Sequence, residues 1–327
     1  MIHLQNVTKN YGSLAAVHDV SLEVAEGETL VLLGTSGCGK TTTLKLINRL
    51  EELSSGSIAV AGKDIRQQRP EELRRQLGYV IQGAGLFPHY TVQENIAVVP
   101  RLLGWRKQQT AQRSEEVMEM LHLPPQEYLH KHPHQLSGGQ QQRVGLARAL
   151  VSDPPVVLMD EPFGALDPIT RHSIRHEFKH LPALQDKTIV LVTHDVLEAF
   201  DLGNRICLMD GGQIQQLGTP KELVFRPAND FVRRFLQQHL FQLQLQVLTL
   251  WDILPYLPPA ASNAPAARML PESTSVLEAL QQLSDTRAAA EPSITVRCKT
   301  SDAKYNLDAA GLLAAVAKAI QTLHAHD

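Results

Sequence analysis

Apolar residues along most of this chain come in short continuous runs, each closed by glycine or by polar residues. Leu30-Val31-Leu32-Leu33, Val156-Val157-Leu158-Met159 and Thr188-Ile189-Val190-Leu191-Val192 are such runs. Runs without polar alternation suit strands covered on both faces, as in parallel sheets. Leu77-Gly78-Tyr79-Val80-Ile81 reads as a fourth strand, and residues 2–30 read as strands broken at Gly12-Ser13 and Glu26-Gly27-Glu28. Between the runs the period becomes helical. Thr42-Thr43-Leu44-Lys45-Leu46-Ile47 and the spacing of Val144, Leu146, Ala147 and Leu150 predict helices. Ser114–Leu121 predicts another, with an acidic start and a stop at Pro124-Pro125. Strands alternating with helices predict an α/β fold, with a helical subdomain over about 83–150.

From Gln238 the character changes. Phe241-Gln242-Leu243-Gln244-Leu245-Gln246-Val247 alternates strictly and reads as a strand, a helix continuing from Phe231 being the other reading. Pro255, Pro258, Pro259, Pro265 and Pro271 among many alanines predict a loop or linker. Ser275–Leu283 and Asp308–Val316 predict helices, and Ile294–Cys298 a strand. The expected division is therefore a large domain over 1–236 and a small α+β domain over 241–327.

The chemistry lies where apolar runs end. Gly34-Thr35-Ser36-Gly37-Cys38-Gly39-Lys40-Thr41 follows the first run and precedes a helix. Its glycines let the backbone curl around a phosphate, and the turn's N–H groups with the helix start face the anion. Lys40 can reach the β/γ-phosphates and the Thr41 hydroxyl can bind Mg²⁺. A second helix start, at Leu136-Ser137-Gly138-Gly139-Gln140, is another cradle for anionic oxygens. Val156–Met159 ends in Asp160-Glu161. Asp160 can orient a Mg²⁺ shell, and Glu161 can polarise a water for attack on a γ-phosphate. His194 follows the strand Thr188–Thr193, where a γ-phosphate sensor would stand, and Gln82 is a further polar residue at a strand end.

Together these motifs resemble the ATP-binding subunit of an ABC transporter, over roughly residues 1–236. Gly34–Thr41 is similar to Walker A, Leu136–Gln140 to the family signature and Val156–Asp160 to Walker B. Glu161 falls at the catalytic glutamate, Gln82 at the Q-loop, Ala165-Leu166-Asp167 at the D-loop and His194 at the switch histidine. The resemblance implies a P-loop NTPase core with a small antiparallel β subdomain, using ATP and Mg²⁺. It implies nucleotide contacts from Gly34, Thr35, Ser36, Gly37, Cys38, Gly39, Lys40, Thr41 and Thr42, and adenine stacking on Tyr11. Ser137, Gly138, Gly139, Gln140 and Asp167 complete the site in a head-to-tail homodimer. Mg²⁺ is expected at Thr41, Gln82 and Asp160, and catalysis at Glu161, His194 and Gln82.

Composition narrows the partners. Among 327 residues the formal charge is −3, which leaves no basic footprint for nucleic acid. Three scattered cysteines, Cys38, Cys207 and Cys298, suit a reducing compartment. Met1-Ile2-His3-Leu4 does not open a secretory signal, and no stretch approaches about 18 apolar residues. The resemblance then implies separate permease subunits, an extracytoplasmic binding protein and a place at the cytoplasmic face of the membrane. Leu86, Phe87 and Tyr90 lie where ABC importers receive the permease; a locally packed loop is the other reading. The stretches Gly34–Leu50 and Arg226–Phe235 are similar to quaternary-amine importers (glycine betaine, carnitine, choline). Importers of other small solutes and soluble, non-transporting ABC proteins are the alternatives. The tail resembles one degenerate CBS motif, with Leu248–Leu254 as its opening strand and turn; an accessory or dimerisation domain is the other reading.

Overall fold

The computed structural model describes every residue except 84, 165, 180, 258–267, 289–293, 298–303 and 326–327. Ala165 of the D-loop, Cys298 and the prolines 258, 259 and 265 of the expected linker thus lie outside the described residues. The described chain forms two compact units, Met1–Leu217 and Gly218–Asp327.

In the first unit, β1 (Ile2–Tyr11), β2 (Leu14–Val24), β4 (Ser55–Val60) and β5 (Lys63–Asp64) form an antiparallel sheet of order β2-β1-β4-β5. The second sheet contains β3 (Thr29–Gly34), β6 (Leu77–Val80), β7 (Val156–Asp160), β8 (Thr188–Val192), β9 (Arg205–Asp210) and β10 (Gln213–Gly218). Its order is β10-β9-β3-β8-β7-β6, and the neighbours from β9 to β6 pair in parallel. Every residue of β7 and β8 is buried, as their unbroken apolar runs require. Between β6 and β7 lie helices, among them Val92–Ile96, Lys107–Met120 and Gly138–Leu150.

Parallel pairing sends the carboxyl ends of these strands to one edge. Asp160 on β7 is in register with Val192 on β8, and Val80 on β6 with Met159 on β7. Leu32 on β3 faces Val192 as well. Residues one or two steps past these partners therefore emerge side by side. Those residues are Gln82, Glu161 and His194. In α/β sheets ligands bind at this edge.

The helix expected from Ser114 begins earlier, at Lys107. Ser114 is not its start but a buried interior residue, its hydroxyl donating to the Thr110 carbonyl at 2.7 Å. The polar turn before it holds good helix formers that give no apolar period.

The second unit begins at Gly218. Helices Pro220–Phe225 and Asp230–Leu236, with buried Leu223, Val224, Phe225, Val232 and Leu236, belong to it. Lys221 Nζ pairs with Asp252 Oδ1 at 2.5 Å. Leu240–Val247 is a helix, not a strand. Phe241, which alternation would bury with Leu243 and Leu245, is 61% exposed, and Gln244 is buried. Leu248–Leu254 is not an opening strand either. Thr249 caps a short helix, Leu250–Ile253, in a capping box with Asp252. The Thr-x-x-Asp spacing carried that signal in the sequence. Strands β11 (Arg268–Leu270), β12 (Ile294–Arg297) and β13 (Lys304–Leu307) form a sheet, with helices Val276–Ala288 and Ala309–Ala325. β11 and β12 pair in parallel, β12 and β13 antiparallel. Among the described residues no helix is long and apolar enough to cross a membrane.

Candidate active site

The loop after β3 can be built only with glycine at two points. Gly34 has φ +148°, and a Cβ there would stand 2.0 Å from the Met209 carbonyl oxygen. Gly39, with φ +98°, would place one 2.3 Å from the Ala16 carbonyl. On the outer side nothing lies within 4 Å of a Cβ built on Gly37, so the loop is open where an anion would approach. Thr35, Ser36 and Gly37 are exposed while Cys38, Gly39 and Lys40 are buried. Thr35 Oγ1 donates to Asp210 Oδ1 at 2.7 Å, tying the loop to β9. Helix Lys40–Ile47 follows, anchored by buried Leu44, Leu46 and Ile47, each worth about 1.5–3 kcal/mol of apolar burial. Lys40 Nζ donates to the carbonyls of Gly34 at 2.9 Å and Thr35 at 2.7 Å. The ammonium is thereby held over the loop. Thr42, in the helix's first turn, is half-buried.

Thr41 Oγ1 donates to Asp160 Oδ1 at 2.9 Å. Burial holds the Asp160 carboxyl above the usual carboxylate range, opposed by that hydrogen bond. Burial beside Asp160 pushes the Tyr79 phenol up to about 12. A hydroxyl and a carboxylate side by side at the mouth of the loop are hard oxygen donors, the set that Mg²⁺ takes with several waters. The residues present therefore fit the ion.

Glu161 is held from both sides. Gln82 Nε2 donates to its Oε2 at 3.0 Å, and His194 Nδ1 lies 3.2 Å from its Oε1. The strand order brings these residues together from positions 79 and 33 apart. The Glu161 backbone has φ +45°, unusual for a residue with a side chain and of a kind found at functional sites. Its N–H donates to the Val192 carbonyl at 3.0 Å, and its own carbonyl accepts from Gly164 at 3.1 Å. The carboxylate is thus fixed beyond the Thr41–Asp160 pair, oriented on both oxygens.

The second cradle stands at the start of helix Gly138–Leu150. Ser137 caps it in a capping box with Gln140: the Gln140 N–H reaches Ser137 Oγ at 3.3 Å, and Ser137 N–H reaches Gln140 Oε1 at 2.8 Å. Gln140 Nε2 donates to the Tyr128 hydroxyl at 3.0 Å. Ser137 and Gly138 are exposed and Gly139 is buried. Tyr11 is 46% exposed, with Lys9 Nζ 4.8 Å from its ring centre. Asp167 is exposed.

Two arginines of this region escaped the sequence reading. Arg148 Nη1 donates to the Gly85 carbonyl at 2.9 Å, and its guanidinium lies 5.8 Å from the Phe87 ring centre. It ties the signature helix to the segment after Gln82. A charge inside the apolar stretch Leu146-Ala147-Arg148-Ala149-Leu150 demanded such a partner. Arg171 Nη2 donates to the Leu166 carbonyl at 2.9 Å; no local pattern flagged it.

Comparison with known proteins decides the family. A family model described as ABC transporter matches residues 17–164. The glycine betaine uptake system ATP-binding protein YehX of Escherichia coli is 50% identical over 256 residues, covering 78% of this chain and 82% of that protein. This chain belongs to the ABC transporter ATP-binding proteins. The glycine betaine/carnitine/choline transport ATP-binding protein OpuCA of Bacillus subtilis is 53% identical over 237 residues, 72% of this chain. The alignment spans 62% of that relative's own length. Among solved structures, the dimeric ABC transporter cassette MJ0796 matches with TM-score 0.60 at 36% identity, covering 67% of this chain and 98% of the cassette. Its post-hydrolysis state, bound to ADP and Pi, matches equally well in TM-score. The likeness to these structures shows the ABC ATPase fold.

Proposed function

We propose that this chain hydrolyses ATP to drive an importer of quaternary-amine osmoprotectants such as glycine betaine, carnitine or choline. The observation that carries the ATPase reading is the clamp on Glu161. A carboxylate oriented by Gln82 and His194, one residue past the Thr41–Asp160 pair, suits a group that accepts a hydrogen bond from an attacking water. Lys40 meets the β/γ-phosphates when its ammonium leaves the loop carbonyls. Tyr11 stacks the base. Thr41 and Asp160, with Gln82 beside them, would hold Mg²⁺, which would supply positive charge against the phosphate oxygens. His194 senses the γ-phosphate beside the same carboxylate.

Within one chain the exposed Ser137–Gly138 cradle is a separate helix start. It serves the nucleotide of a second copy, in a head-to-tail homodimer with Asp167 at the seam. Closure of that pair excludes water and strengthens each charge contact. The cargo reading rests on relatives named for glycine betaine, carnitine and choline at 49–53% identity. A sulfate/thiosulfate relative stands lower, at 44%. Phe87 and Tyr90, 48% and 40% exposed and packed on each other at 5.3 Å, form the apolar step on which the permease docks. The chain is then peripheral at the cytoplasmic membrane face, and an extracytoplasmic binding protein selects the cargo. In the second unit the order β11, helix, β12, β13, helix keeps a CBS-like regulatory role in view.

The test is Glu161→Gln, which keeps the shape and removes the charge. Hydrolysis is expected to fall roughly 10²–10⁴-fold, the worth of a general base, while ATP still binds and holds a stable dimer. Near-normal turnover refutes the role.

A further inference from the structure

We propose that Arg171 is a positioning residue that links the D-loop to the switch histidine, so that movement at the dimer seam is felt at His194. Arg171 stands in the first turn of helix Pro168–Lys179, directly after the D-loop. Its backbone N–H donates to the Asp167 carbonyl at 2.9 Å, and Nη2 to the Leu166 carbonyl at 2.9 Å. The same guanidinium puts Nη1 3.8 Å from Asp195 Oδ2. Asp195 directly follows His194. It caps helix Val196–Leu202, accepting the Glu198 N–H at 3.1 Å, and its own N–H donates to Thr193 Oγ1 at 3.0 Å. One planar cation therefore touches a D-loop carbonyl and the residue that seats His194, which contacts Glu161.

The two contacts are unequal. The carbonyl contact is a full hydrogen bond. At 3.8 Å the ion pair lies near its outer limit, and the buried Arg171 Nε has no hydrogen-bond partner. A guanidinium fork with a spare donor and a loose carboxylate can tighten on Asp195 when the carbonyl it follows moves. Glu198, buried next to this pair, has its carboxyl pushed up to about 8 by burial and the neighbouring Asp195.

This inference rests on the head-to-tail reading above, since the seam is what moves the D-loop. The experiment uses the full chain with Arg171→Met, which keeps length without charge, and Arg171→Lys, which keeps the charge and donors on a single nitrogen. Expected for Arg171→Met are an unchanged unfolding midpoint, an unchanged KM for ATP and a kcat lowered roughly tenfold or more. Arg171→Lys should restore most of kcat. Asp195→Asn should lower kcat alike, and adding it to Arg171→Met should cost little more. The double variant Glu161→Gln/Arg171→Met should still form the ATP-held dimer. Wild-type kcat in Arg171→Met, or equal falls in kcat, ATP affinity and unfolding midpoint, overturns the linkage. If Glu161→Gln alone forms no ATP-held dimer, the head-to-tail reading fails instead, so the two failures are told apart.

Discussion

Replacing Glu198 by glutamine should remove a pH dependence of stability that the fold imposes. Glu198 is 3% exposed, on the helix that follows His194. Burial pushes its carboxyl from 4.5 up to about 8, helped by Asp195; Arg175, the Thr193 hydroxyl and Arg171 oppose the rise. Oε1 has no hydrogen-bond partner. Below about 4.5 the acid is protonated in folded and unfolded chains alike, and the native state keeps its full advantage. Between 4.5 and about 8 the unfolded chain ionises while the folded one stays neutral, so stability falls with rising pH. At about 1.4 kcal/mol per unit, the raise from 4.5 to about 8 is worth roughly 3–5 kcal/mol. Glu198→Gln keeps the side-chain shape and cannot titrate. Wild-type stability relative to the variant should therefore be level below pH 4.5 and decline until about pH 8. The assay is urea unfolding from pH 4 to 9, followed by Trp105 fluorescence. Trp251→Phe serves as background so that only the first unit reports. A difference between wild type and variant that does not change from pH 5 to 8 would refute the reasoning.

Gly39→Ala should cost at least about 2 kcal/mol, because a Cβ in the left-handed region is strained and would stand 2.3 Å from the Ala16 carbonyl. Nucleotide binding should vanish with it, as isothermal titration would show. Ser137→Arg should leave ATP binding by the isolated chain intact and, in a Glu161→Gln background, abolish the ATP-held dimer seen by size-exclusion chromatography; a variant unable to bind ATP as a monomer would contradict the shared site. A chain ending at residue 217 should stay soluble and monodisperse, whereas one ending at 240 should aggregate, since Leu223, Phe225, Val232 and Leu236 are buried within the second unit.

Local physics made much of this protein legible from its residues alone. The buried strands announced themselves as unbroken apolar runs, and the glycine-rich turn before Lys40 as a spacing that little else explains. Those features depend on neighbours in the chain. The capping box of Ser137 and Gln140 and the strand-end positions of Asp160 and Glu161 are local in the same sense. Patterns compatible with two structures were not decided that way. The alternation of residues 241–247 suited a strand, yet the segment is a helix that buries Gln244 and exposes Phe241. Packing within the second unit chose between two nearly balanced backbones. The same packing gathers residues 218–236 with the rest of the second unit. Above all, the meeting of Gln82, Glu161 and His194 depends on the order in which β6, β7 and β8 pair. The reach of Arg171 from Leu166 to Asp195 likewise has no counterpart in any stretch of sequence. Such contacts form only once the chain has closed its long loops and buried both faces of the sheet, so their free energy belongs to the folded tertiary structure.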